Sequence, residues 1–232
     1  MDSEPNSAVA GEPQRTFKNG LWWFVMVQAG LLVTLMPTGV VYAAVERSDV
    51  GVATVALFAV AALPVGPALQ AGMYALRRPA AAEGQHPWSR YWEGWSLGWR
   101  QSLLVWAPVV VLVGGVLATS MVMAEDAIAR PLVTTGLIVG GVAGVIAIGT
   151  LTVIATYSFR TRDVTRVALF GMGSKPFATA GLIGVVFVVV ALVALGLEAL
   201  LILVMVLICK ALLIITRPIQ ELIRVKLVAQ PD

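Results

Sequence analysis

The chain has 232 residues, 59% of them hydrophobic and 12% charged, with a net charge of +3. Soluble domains carry about 25% charged residues, and a water-soluble fold of this size has nowhere to hide so much apolar surface. A single cysteine, Cys209, excludes a disulfide framework or a cysteine metal site within one chain, and the small basic excess lies near helix ends, which points to membrane orientation before nucleic-acid binding.

Residues 1–14 hold three acids and no Lys or Arg. A signal peptide needs a basic start, a short apolar core and a small-residue cleavage site. This start reads instead as a short cytoplasmic tail over 1–18, with an uncleaved first helix. Span one is expected over 21–45, with Trp22 and Trp23 at the interfacial aromatic belt and a kink at Pro37. Span two is expected over 50–76. Pro64, Gly66 and Pro67 forbid a regular helix through its middle, and in lipid the freed carbonyls must find partners in neighbouring helices or water.

Trp88, Trp92, Trp95 and Trp99 recur at helical intervals, and Pro87 suits a helix start. They predict a cytoplasmic interfacial helix leading into span three at 102–123. The stripe either anchors that helix among headgroups or forms an aromatic platform for a partner or a sugar face. Span four is expected over 132–157. Gly136, Gly140 and Gly144 share one of its faces and allow close approach of a partner helix, within the chain or by self-association.

Residues 177–215 are nearly all apolar, and as one helix these 39 residues would be about 58 Å long. The hydrocarbon core is only about 30 Å thick, so a break near Gly196–Glu198 divides them into spans five and six. From Arg217 onward the sequence is amphipathic. The expected fold is therefore all-α, a polytopic membrane helix bundle of about six spans plus one interfacial helix. Its parts are the tail 1–18, a membrane domain over 19–217 and an amphipathic cytoplasmic tail over 218–232.

Fourteen of the sixteen Lys and Arg residues fall on one side of these spans. They are Arg15 and Lys18, then Arg77, Arg78, Arg90 and Arg100, then Arg160, Arg162, Arg166 and Lys175, and last Lys210, Arg217, Arg224 and Lys226. Only Arg47 and Arg130 lie opposite. The positive-inside rule then places both termini in the cytoplasm.

Two basic clusters stand out. Arg77 and Arg78 close span two, as an anchor on lipid headgroups or as a site for an anionic ligand or acidic partner. Arg160, Arg162 and Arg166 surround Asp163, as a self-paired loop or as a contact for phosphate, lipid or protein. Among intramembrane candidates are Pro64, Pro67 and Gln70 of span two, and Gln28 of span one. Lys210 lies seven residues, roughly 10 Å, before Arg217. Its ammonium either snorkels to the surface or pairs within the membrane. No catalytic set emerges: His86 is the only histidine, no metal-ligand spacing and no phosphate-binding glycine loop occur, and neither cofactor nor metal is expected.

The run LPVGPALQAGMYALRR over 63–78, followed by an aromatic amphipathic segment and span three, resembles the YesL-like family of small bacterial membrane proteins. The stretch from Arg160 and Asp163 to Lys175 and Pro176 is similar to that family's loop between spans four and five, with Gly-Ser-Lys standing where an Asn is expected. The resemblance implies a non-enzymatic accessory of carbohydrate ABC import, with permease subunits and the lipid bilayer as partners and no nucleic acid. It carries over no catalytic or binding residue. The alternative is a small-solute transporter or channel whose Pro-broken second helix lines a cavity.

Overall fold

The computed structural model describes residues 12–45, 51–77, 85–123, 129–157 and 161–225, and all regular structure among them is helical. Arg78 and Arg160, and the side chain of Arg162, lie outside what it describes. Ten helices follow in order: α1 Glu12–Val45, α2 Val52–Ala62, α3 Val65–Leu76, α4 Pro87–Val122, α5 Ala129–Ile154, α6 Thr161–Ser174, α7 Pro176–Ala194, α8 Glu198–Leu203, α9 Met205–Ile215 and α10 Arg217–Ile223. Five stretches are long and apolar enough to cross a membrane: Gly20–Val45, Val52–Leu76, Pro87–Val122, Arg130–Ile154 and Pro176–Ala194. The last apolar segment is divided at Val204 into two short helices.

Each predicted interruption has a local cause. α2 stops at Ala62 because Pro64 and Pro67 supply no N–H to the preceding turn. The orphaned carbonyls are answered from other helices. Thr38 Oγ1 donates to Ala61 O at 2.5 Å and Trp106 Nε1 to Ala62 O at 3.0 Å. α7 ends at Ala194, and Gly196 follows with φ of 69°, a left-handed conformation suited to glycine. At the Val204 turn the side chain of Gln28 reaches across from α1, and its Oε1 accepts the Val206 N–H at 3.0 Å.

α4 does not pause between the tryptophan segment and span three. It runs unbroken for 36 residues, roughly 54 Å at 1.5 Å each. Along its first half the buried residues include Tyr91, Gly94, Gly98 and Ser102, the last three a small-residue stripe at helical spacing. α3 lies against it. A Cβ on Gly94 would sit 2.7 Å from the Tyr74 ring, one on Gly98 2.5 Å from the Gln70 amide, and one on Gly66 2.6 Å from Trp106. The predicted glycine face of α5 also meets α4 of the same chain: Gly136 faces Val116, Gly140 faces Val113 and Gly144 faces Val109. The contact that glycine spacing left open is thus made within one chain.

The core joins all of this. Val27 and Leu31 of α1, Met73 of α3, Tyr91 of α4, Leu151 of α5, Leu182 of α7 and Leu212 of α9 are fully or almost fully buried. The segment after span four is helical as α6. Its Val164, Ala168 and Met172 face inward and Asp163 and Arg166 face out. α10 closes on it, with Ile219 against Gly171. Outward, large apolar side chains stay exposed, among them Met36, Leu104, Val111, Ile138, Phe177 and Phe187. That outer surface is compatible with lipid contact and costly in water.

Candidate functional site

The most distinctive site is a cavity of about 390 Å³ at the end of the bundle where the apolar stretch of α1 begins, α3 stops and α9 gives way to α10. Gly20, Trp23 and Phe24 of α1, Leu76 and Arg77 at the end of α3, Lys210, Leu213 and Ile214 of α9, and Arg217 and Gln220 of α10 line it. Three of these are cations and none is acidic. The arrangement follows from local sequence. α3 ends at Leu76, so Arg77 emerges at its mouth with an extended backbone. Lys210 and Arg217 lie seven residues apart, nearly two turns, which brings them to the same side of α9 and α10.

Arg77 is held in place. Its Nη1 donates to the Thr156 carbonyl, and its guanidinium lies 5.9 Å from the centre of the Tyr157 ring. Tyr157 in turn donates to Gln220 O at 2.8 Å, tying α5 to α10 behind the cavity. Trp23 Nε1 donates to Ala75 O at 2.9 Å, so the indole is locked against the last turn of α3. Lys210 and Arg217, by contrast, make no hydrogen bond or ion pair among the described residues.

The tryptophan stripe is positioned differently. Trp88, Trp92 and Trp95 are half-buried and stack edge to face, at 5.7 Å and 6.2 Å between successive rings. Trp92 and Trp95 rest on the core, whereas Trp99 is exposed and carries the Arg100 guanidinium 5.2 Å from its ring centre. Beside the stripe, Arg90 is buried. It bonds Gln85 Oε1 at 2.9 Å and sits 4.8 Å from the Tyr74 ring centre, while Tyr74 donates to Glu93 at 3.0 Å. This cluster lies on α3 and α4 and lines none of the basic cavity. Asp163 is exposed on α6, outside the cavity too.

Inside the bundle, Pro64 sits at the α2–α3 turn, and Pro67 and Gln70 are buried on α3. Gln70 Oε1, Ser102 Oγ and Arg90 Nε are buried and have no hydrogen-bond partner among the described residues. Buried polar atoms of that kind call for an explanation. Sequence reasoning missed Ser102 as a second buried polar group, although it follows Gly98, which packs on Gln70, by one turn. It also missed Trp23 and Arg217 as companions of Arg77 and Lys210. The signal for Arg217 was present, since its spacing from Lys210 is helical; that for Trp23 was not, because it lies more than 50 residues away.

Among the described residues no three His, Cys, Asp or Glu side chains converge. No protein-family model, curated protein or solved structure matches the chain.

Proposed function

We propose that the chain is a non-enzymatic, six-span protein of the bacterial plasma membrane, with both termini cytoplasmic, that acts as an accessory of carbohydrate ABC import. In this reading α2 and α3 form one crossing, and α8 with α9 forms the sixth, a stretch of roughly 27 Å at 1.5 Å per residue. The orientation rests on the one-sided distribution of Lys and Arg. The link to sugar uptake rests on the YesL-like resemblance of residues 63–78 and 160–176. The observation that carries a docking role is the gathering of Arg77, Lys210 and Arg217 at one end, with two of these charges unanswered among the described residues. Arg78, Arg160, Arg162 and Asp163 extend the same charged side in the sequence, and Trp99 presents an exposed indole nearby in the chain. Self-association through Gly136, Gly140 and Gly144 would require α4 to leave that face.

Crosslinking with mass spectrometry on gently extracted native membranes tests this. Links from Lys175, or from the Lys18 and Lys226 regions, to permease subunits are the expected result. The reading is sunk if the chain purifies alone and its deletion leaves sugar uptake unchanged.

A second reading, a small-solute transporter or channel, draws on one observation: Gln70 Oε1 and Ser102 Oγ are buried and, among the described residues, unpartnered beside the broken second apolar stretch. Flux into liposomes carrying the purified protein, abolished by Gln70→Leu, is the outcome that would carry it; liposomes without flux remove it.

A further inference from the structure

We infer that the cavity between α1, α3, α9 and α10 binds a phosphate-bearing anion, and that its occupant is the headgroup of an anionic phospholipid. Three positive charges face one cavity with no carboxylate among its lining residues. Like charges so placed repel one another, and the repulsion is stronger near a low-dielectric wall than in water. An anion between them converts that repulsion into attraction. The donors are also divided suitably. Arg77 is already positioned by the Thr156 carbonyl and the Tyr157 ring, while Lys210 and Arg217 keep their donors uncommitted among the described residues. An ammonium and a guanidinium are the usual partners of phosphate oxygens.

The rest of the wall distinguishes the two sources of such an anion. Phe24, Leu213 and Ile214 continue the cavity as an apolar surface, and Ile214 is 49% exposed. A free phosphate would leave that surface unused. A phospholipid uses both parts, its phosphate on the cations and its acyl chain along Phe24 and Ile214. Lys210 on α9 lies seven residues, roughly 10 Å of helical rise, from Arg217 at the start of α10, so the two cations span the depth of a headgroup and its glycerol. Basic pockets between membrane helices suit such headgroups. The inference requires only that the apolar helices sit in a bilayer, and it is independent of any role in sugar import.

The test uses the full chain in a neutral detergent, titrated with phosphatidylglycerol, with phosphatidylcholine, and with millimolar inorganic phosphate alone, read by lipid retention in native mass spectrometry and by thermal unfolding. Phosphatidylglycerol should be retained in preference to phosphatidylcholine and should raise the unfolding temperature. One basic residue near an anionic headgroup is worth about five-fold in affinity, so Lys210→Met should lose about five-fold and Lys210→Met with Arg217→Gln about twenty-five-fold. Arg100→Gln, on another part of the surface, should change nothing. Lys210→Arg should bind like the natural chain, which separates loss of charge from loss of fold. Equal retention of the two lipids, or undiminished binding by the double variant, overturns the site. Stabilisation by inorganic phosphate with none by phosphatidylglycerol keeps the anion site and overturns the lipid as its occupant.

Discussion

Midway along the second apolar stretch the chain breaks its own helix and repairs the damage; at the basic end of the bundle it gathers three charges and, among the described residues, leaves two of them unmatched. The first region spends polar groups on architecture. Thr38 and Trp106 answer the Ala61 and Ala62 carbonyls, and Gln28 answers the Val206 N–H at a second break. In hydrocarbon an unanswered backbone group costs several kcal/mol, so these side chains are parts of the scaffold. The second region answers Arg77 but neither Lys210 nor Arg217 among the described residues. A helix break is therefore no sign of function by itself, and the useful question is whether its polar atoms are already consumed.

Four tests break or sharpen this contrast, from the largest expected effect to the smallest. Gly94→Ala and Gly66→Ala drive a methyl to within 2.7 Å of Tyr74 and 2.6 Å of Trp106, rigid neighbours near their own backbones. Each should lower stability by about 1–3 kcal/mol in reversible detergent unfolding. Gly141→Ala, with open space around it, should be neutral or slightly stabilising. Gln28→Leu removes the acceptor of a buried N–H, and the same unfolding assay should register a loss of about 1–2 kcal/mol. A value near zero would mean that water replaces the amide there and that the break is not sealed by the chain.

Trp106→Phe keeps the ring and removes the N–H to Ala62 O. Hydrogen bonds between membrane helices average about 0.6 kcal/mol, so a comparable loss is expected, with the helix content by circular dichroism unchanged. Smallest of all, Lys210→Met and Arg217→Gln should alter stability in neutral detergent by less than about 0.5 kcal/mol, because nothing among the described residues depends on those charges. A large loss in neutral detergent would place both residues in the scaffold and erase the contrast between the two regions.

Much of the architecture was legible in residue order. Apolar length marked the stretches that can cross a membrane, since the bilayer thickness sets a minimum that composition alone can meet. Pro64 and Pro67 marked the α2–α3 break because a missing N–H acts locally. Gly196 marked the end of α7 for a similarly local reason, its φ of 69°. The charge asymmetry was readable as well, since it requires only counting along the chain.

The candidate site was legible only in fragments. Arg77 and Lys210 stood out singly, one as the end of a span and the other as a cation in an apolar run. Leu76 adjoins Arg77 and Arg217 follows Lys210 by nearly two turns, but the two pairs met each other and Trp23 only when α1, α3, α9 and α10 were brought together, across separations that no periodicity spans. The tryptophan stripe shows the same limit. Its spacing named one helix face, but the decision to half-bury Trp88, Trp92 and Trp95 and to seat Arg90 against Tyr74 came from α3 packing on Gly94 and Gly98.

Sequence by itself thus determined the long apolar helices and the breaks at Pro64–Pro67 and Gly196, because length and the geometry of proline and glycine act along the chain, whereas the helical α6, the unbroken α4 and the turn at Val204 were not read from it. The tertiary structure decided which polar groups are used up inside the bundle and which stay without a partner among the described residues, because a hydrogen bond to a freed carbonyl and a cavity between cations both depend on residues that meet only when distant helices pack.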